Sequence, residues 1–161
     1  MGEGNMYELR AIANYFIERG IRERVEISPM KLQKLLFYAY GLYWSKKGQP
    51  LFSDRFEVWK YGPVISELYH TLKSYGNSSI DRPILDLDLK TMQFIHPSID
   101  RTDKRLLKFL DGFWLEFKDY SAFKLSNATH AENTPWKLAL NRGEQVINDE
   151  EMKTYFEREF D

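Results

Sequence analysis

The residues best suited to acid–base chemistry lie in a polar loop near residue 130. His130 and Glu132 stand two positions apart, and a histidine beside a carboxylate can transfer protons near neutral pH. Side chains of this kind also hydrogen-bond to backbone groups and hold loops in place. The sequence leaves both roles open for His130, a small catalytic site and a structural one, and it favours the structural role.

Other patterns typical of enzymes are missing from the sequence. His70, His96 and His130 are far apart, there is no cysteine, and no glycine-rich phosphate loop or nucleophile motif occurs. Asp86 and Asp88 alternate with leucines, which predicts the solvated side of an extended segment rather than a divalent-cation site. We therefore expect no catalytic residues, no metal, no cofactor and no enzymatic activity.

Five lysines raise the question of a charged partner. Lys31 and Lys34 fall in the first turns of a predicted helix, where the helix dipole disfavours positive charge by about 0.3–1 kcal/mol. An acidic neighbour within the domain or an acidic patch on a partner would offset this penalty, and both explanations stay open. With Lys46, Lys47 and Lys60, these residues are also the candidates for a nucleic-acid-binding patch.

Composition constrains the class of protein and its compartment. The 23 Lys and Arg residues nearly balance 24 Asp and Glu, and the net charge of -1 argues against nucleic acid as the partner. The absence of cysteine and of a secretory signal pattern predicts a cytoplasmic protein. The longest apolar run, residues 35–44, is about half of the ~20 residues that a membrane-spanning helix needs, so we expect no membrane association.

The hydrophobic pattern predicts a mainly α-helical fold. It indicates a first helix over residues 6–19 that stops at Gly20, and a second over 29–47 with Ser28 as its cap and Gly48 after its end. This second helix has almost no polar face, which predicts a central buried helix. Gly41 inside it suggests that another backbone crosses closely there.

The remaining elements complete a compact single-domain bundle that we expect to span residues 1–161. Short extended or β segments are predicted near 56–59 and 85–95, the second with its leucines packed along one side. A helix is expected to start at Gly62 and Pro63. Further helices are predicted over residues 102–118, 121–128 and 135–142 and after Asn148.

Two aromatic-rich segments look suited to contact with another molecule. Residues 59–64, with the sequence Trp-Lys-Tyr-Gly-Pro-Val, place two aromatic rings beside a forced turn. Residues 129–136 form a polar loop that ends in Trp136, close to a helix start. Rigid corners of this kind make good docking points, although the sequence favours a structural role for both segments.

These segments and the start of the second helix resemble the motifs of the Panacea domain family, which includes SocA-type antitoxins and phage-associated proteins. Residues 31–39, Lys-Leu-Gln-Lys-Leu-Leu-Phe-Tyr-Ala, are similar to its helix motif, and residues 59–64 followed by Leu68 and Tyr69 are similar to its central signature. Thr129-His130 and Pro135-Trp136 match a third element. The three matches in order extend the resemblance over about residues 10–140.

The resemblance implies an antitoxin of a toxin–antitoxin system. Its partner would be a cognate protein toxin, neutralised by direct binding or by delivery to a ClpXP-type protease. The alternatives are a small enzyme that uses His130 and Glu132, and a nucleic-acid-binding phage-associated protein. We predict partner contacts at the motif positions, with scaffold roles left open, at the following residues: Lys31, Lys34, Trp59, Tyr61, Pro63, Thr129, His130 and Trp136.

Overall fold

A computed structural model describes residues 6–160. Residues 1–5 and Asp161, which the single-domain prediction includes, lie outside the described part. Within it, the predicted mainly α-helical fold is confirmed: seven α-helices, one 3-10 helix and two short β-hairpins. In chain order they are α1 (Leu9–Glu23), α2 (Pro29–Lys47), β1 (Glu57–Trp59), β2 (Gly62–Val64), α3 (Ser66–Leu72), the 3-10 helix (Lys73–Tyr75), β3 (Asp86–Asp88), β4 (Gln93–Ile95), α4 (Lys104–Phe117), α5 (Ala122–Thr129), α6 (Pro135–Asn141) and α7 (Asp149–Phe160).

Helix α2 is the centre of the fold, as predicted, and its bounds are confirmed. The Ser28 hydroxyl accepts a hydrogen bond from the backbone N–H of Lys31, and Gly48 ends the helix in the left-handed conformation at φ 73°. All residues from Lys31 to Tyr43 are buried, because helices from every side and strand β2 pack around them. None of the helices in residues 6–160 is long and apolar enough to cross a membrane.

Gly41 in α2 makes room for an aromatic ring of α7. A Cβ atom at this position would lie 2.0 Å from Cε2 of Phe156, which is fully buried. The prediction of a crossing backbone was therefore wrong, and a side chain fills the space. This contact fixes α7 against the middle of α2.

Helix α1 continues beyond the stop predicted at Gly20. It ends after Glu23, where Arg24 adopts φ 60° and the backbone N–H of Val25 donates to the carbonyl of Gly20 at 2.9 Å. A Cβ on Gly20 would lie 2.6 Å from Cγ1 of Ile27. Gly20 therefore leaves room for the chain that follows the helix. The predicted end of the helix was wrong.

The segment that starts at Gly62 and Pro63 is a strand rather than the first turn of a helix. Strand β2 pairs antiparallel with β1, so that Trp59 lies opposite Gly62 and Val58 opposite Pro63. Gly62 has φ 115°, a conformation that favours glycine and does not fit a helix. Helix α3 begins only at Ser66.

The extended segment predicted near 85–95 is the β3–β4 hairpin, but its two faces are reversed. The Asp86 carboxylate accepts a hydrogen bond from Arg10 of α1 at 2.6 Å, so the acidic side faces the domain. Leu85, Leu87 and Leu89 are instead 44–76% exposed. The expectation that these leucines pack on the core was wrong, because an ion pair with α1 holds the opposite side of the hairpin.

Candidate partner-binding site

The candidate site is the corner formed by residues 59–65, where the β1–β2 hairpin turns and leads into α3. Its backbone is held by side chains from α2, from α5 and its C-terminal end, and from α6. Each of five side chains hydrogen-bonds to, or directly faces, a different corner residue: Gln33, Lys34, Ser126, His130 and Trp136. The corner is therefore a fixed element rather than a loose loop.

Gln33 secures the end of the corner nearest α3. Its Nε2 donates to the carbonyl of Ile65 at 3.0 Å, and its Oε1 accepts from the N–H of Ile65 at 2.9 Å. Both hydrogen bonds are buried. The amide therefore supplies the partner that a neighbouring strand would give to the N–H of Ile65. This residue lies within the helix motif but was not among the predicted site residues.

Lys34 holds the next part of the corner from below. Its ammonium donates to the carbonyl of Pro63 at 3.0 Å, and its side chain is almost completely buried against Gly62. The hydrogen-bond partner of the ammonium is thus a carbonyl and not a carboxylate, and burial lowers the pKa of Lys34 to about 8. A backbone carbonyl therefore compensates this cation, whereas the sequence suggested an acidic group.

The end of α5 supports the turn itself. Ser126 Oγ donates to the carbonyl of Tyr61 at 3.0 Å. His130 lies beside it, with Nδ1 2.6 Å from the carbonyl of Ser126 and Nε2 3.4 Å from that of Lys60. Because a carbonyl only accepts, the Nδ1 atom carries the donated proton. Thr129 is buried, and its hydroxyl donates to the carbonyl of Ser126 at 2.6 Å.

Trp136 closes the other side of the corner. Its indole Nε1–H donates to the carbonyl of Trp59 at 2.9 Å, and its ring contacts that of His130 at a centroid distance of 4.1 Å. Thr134 caps α6 through a hydrogen bond from the N–H of Lys137, and Pro135 follows as the first helical residue. The capped helix start thus sets the position of the indole.

The held backbone presents a few side chains to solvent. Tyr61 is 61% exposed, and the Lys60 ammonium lies 5.4 Å from the centre of its ring. Trp59 is half-buried and contacts the ring of Tyr69 at 4.9 Å. Exposed aromatic residues on a rigid backbone are typical of protein contact surfaces, because little flexibility is lost on binding.

A groove of about 490 Å³ adjoins the exposed side of the corner. It lies between the start of α2, the β1–β2 hairpin and α3, and its walls are mainly apolar. They include Met30, Trp59, Tyr61, Val64, Leu68, Tyr69 and Leu72. Three lysines also line it, and none of the carboxylates in residues 6–160 does, so the groove suits an apolar segment with acidic groups.

The predicted partner-binding residues thus fall into two groups in the structure. Tyr61 and Trp59 reach the surface of the corner, where a partner could touch them. Pro63 is a buried part of the corner, and most of the others lie beneath it. Lys31 instead holds the end of α4, through a 2.5 Å hydrogen bond to the carbonyl of Lys118. Burial lowers the pKa of Lys31, and the charge of Asp119 opposes this effect.

The acid–base pair proposed for a catalytic site does not form in the structure. His130 faces backbone carbonyls with both ring nitrogens, and it has neither a hydrogen bond nor an ion pair with the exposed Glu132. Within the described residues, no group of three or more His, Cys, Asp or Glu is placed to hold a metal ion. His130 has the structural role that the sequence favoured.

The five candidate lysines of a nucleic-acid patch also do not come together. Lys31 and Lys34 are buried and bonded to carbonyls. Lys46 and Lys47 lie in the last turn of α2, roughly 20 Å further along the helix axis. The structure therefore does not assemble the basic surface that this alternative required.

The chain is thus a helical domain in which side chains of the motif segments hold the backbone of one exposed turn. A family model described as "Antitoxin SocA-like, Panacea domain" matches residues 32–137. The chain belongs to this family, which confirms the resemblance seen in the sequence. A family named for an antitoxin points to a role in binding rather than in catalysis.

One relative extends the match over most of the chain. Antitoxin SocA from Caulobacter vibrioides (strain NA1000 / CB15N) is 31% identical over 134 residues, which cover 83% of this chain and 71% of the relative. No solved structure gives a significant match.

Proposed function

We propose that this chain is an antitoxin that neutralises a cognate protein toxin by direct contact through the corner and its groove. The observation that carries this proposal is the support of the corner by hydrogen bonds from four side chains, which presents Tyr61 beside an apolar groove. Membership of an antitoxin family supplies the class of partner. The contact takes place in the cytoplasm, in a chain that acts as one domain.

The physical argument concerns the free energy of association. A flexible turn would lose conformational entropy on binding, whereas this turn is already ordered by hydrogen bonds to its carbonyls. A tyrosine on such a support retains most of the energy that its ring gains on burial. Aromatic residues at the centre of an interface commonly contribute about 2 kcal/mol or more, judged by truncation to alanine.

Contact can neutralise a toxin in two ways. The bound antitoxin covers the toxin's working surface, or it presents the toxin to a protease of the ClpXP type. The first leaves the amount of toxin unchanged and the second lowers it. Both require the same initial contact, so the corner is tested independently of the route.

Coexpression with the product of the neighbouring gene tests the proposal. We expect that product to stop growth alone and this chain to restore it. The Tyr61→Ala variant should fail to restore growth while staying folded. Phe123→Ala removes an even more exposed ring from α5, at 73% against 61%, and should restore growth. A neighbouring product that is harmless, or that stays toxic beside the wild-type chain, contradicts the proposal. Toxin abundance in hosts with and without the protease then separates covering from degradation.

A further inference from the structure

The β3–β4 hairpin carries a second exposed surface that lies outside the corner and its groove. Leu87 and Phe94 lie directly opposite each other in the antiparallel register, so their side chains share one face of the hairpin. They are 44% and 72% exposed with residues 6–160 in place. Large apolar side chains before β3 and in the turn extend this exposed surface, which we name the hairpin face: Leu85, Leu87, Leu89, Met92 and Phe94.

The hairpin face is held in a fixed position by its opposite side. Asp86 accepts from Arg10 of α1, and the segments that flank the hairpin are tied to Asn14. The Asn14 amide donates to the carbonyls of Ile84 and Pro97, both at 2.9 Å, and accepts from the N–H of Ile84 at 2.7 Å. Because neighbouring strand residues point to opposite sides, this anchoring turns Leu87 toward solvent.

We propose that the hairpin face is a homodimer interface, occupied by the same face of a second copy of this chain. None of its five side chains is charged, so it lacks the groups that would select a partner by opposite charge. It does fit another uncharged apolar face. A two-fold axis near Leu87 and Phe94 brings Leu87 of one copy to Phe94 of the other, and the reverse contact follows by symmetry.

The size of the face agrees with a second copy. Five large side chains at these exposures present on the order of 500 Å² of apolar surface, near the upper end of what monomers leave uncovered. Two copies together bury roughly 1,000 Å², which is about the least that a biological interface is expected to bury. A net charge of -1 per chain adds little repulsion between copies.

A two-stranded hairpin also benefits from a further layer. Isolated pairs of strands are marginally stable in water, and packing on one face stabilises them. In this domain the side of the hairpin that faces α1 is held by an ion pair, and the apolar side has no covering layer among the described residues. Face-to-face packing of two hairpins supplies that layer to both copies.

The test is the mass of the purified chain in solution, measured by light scattering and by sedimentation over a range of micromolar concentrations. We expect the mass to rise from 19.2 kDa toward twice that value. Phe94→Ser should weaken dimerisation by about 30-fold, because it removes a central aromatic side chain. Phe123→Ser is the matched control, since both phenylalanines are about equally exposed, at 72% and 73%.

The control should dimerise like the wild type, and circular dichroism should show all variants folded. If Phe94→Ser does not fold, Leu87→Ser replaces it and should give the same loss. A wild-type chain that stays at 19.2 kDa throughout overturns the proposal. So does a Phe94→Ser chain that dimerises as tightly as wild type, or a Phe123→Ser chain that dissociates to the same extent.

Discussion

Gln33 and Ile65 form a closed pair of hydrogen bonds in which one side-chain amide satisfies both backbone groups of one residue. The two distances are 3.0 and 2.9 Å, and Gln33 is only 5% exposed. Ile65 stands between the end of β2 and the start of α3. Its carbonyl also accepts a helical hydrogen bond from the N–H of Tyr69 at 3.0 Å, whereas its N–H has the Gln33 amide as partner. The central helix thereby fixes the direction in which the chain leaves the corner.

Replacing Gln33 by leucine should destabilise the domain by about 1–3 kcal/mol. The reason is that the buried N–H of Ile65 loses its partner, at about 1–3 kcal/mol, while its carbonyl keeps the bond from the N–H of Tyr69. Urea unfolding measures the change. Gln145→Leu, at an exposed position, should alter stability by no more than about 0.5 kcal/mol. Equal stability of the two variants would show that the pair does not support the corner.

Two helical glycines should respond to alanine in opposite directions. Gly41→Ala forces the Phe156 ring away from a position 2.0 Å from the new Cβ, and we expect a loss of about 2 kcal/mol. A methyl group added at Gly112 in α4 would have nothing within 4 Å, so Gly112→Ala should stabilise the domain by roughly 0.5–1 kcal/mol. Thermal unfolding of both variants checks the signs. Two shifts of the same sign would contradict the packing of α7 on α2.

Lys34 should give the domain a distinctive dependence on alkaline pH. Burial lowers its pKa in the folded chain from 10.5 to about 8. Between these values the unfolded chain binds the extra proton, so the free energy of unfolding rises with pH. From about pH 7.5 to 9.5 the gain should be about 1–2 kcal/mol relative to Lys34→Met, which cannot titrate at this position.

Urea unfolding of both proteins at the two pH values measures this difference. Burial raises the pKa of buried tyrosines in the folded chain, so above about pH 10 they ionise in the unfolded chain first and the free energy of unfolding falls. The upper pH of about 9.5 stays below that range. Contributions common to both proteins cancel in the comparison. Parallel pH profiles of wild type and Lys34→Met would show that Lys34 is not a buried cation.

The sequence predicted the helices well where local signals and packing agree. The cap at Ser28 and the glycine at position 48 set the bounds of α2, and Thr134 with Pro135 set the start of α6. At Gly20 and Gly62 the same residue type gave the wrong prediction. Gly20 makes room for Ile27 just after the helix, and Gly62 for Lys34 and Thr129 far along the chain; neither contact is visible in the local pattern.

The sequence identified the segments that form the candidate site but not the contacts between them. Spacing identified residues 59–64 and 129–136 as important, whereas only the fold shows that they meet through side chains bonded to carbonyls. Gln33 and Ser126 were missed as site residues. A polar residue inside an almost wholly apolar helix was the available signal for Gln33, because a buried amide needs partners. Nothing in the sequence marked Ser126.

The most direct test of the account is the affinity of the purified cognate toxin for three forms of this chain, measured by titration calorimetry. Tyr61→Ala should bind at least about 30-fold more weakly than wild type with an unchanged melting temperature, because the ring is exposed and its support is backbone. Phe123→Ala should bind like wild type. Tight binding by a folded Tyr61→Ala chain would contradict the claim that the corner is the toxin-contacting surface.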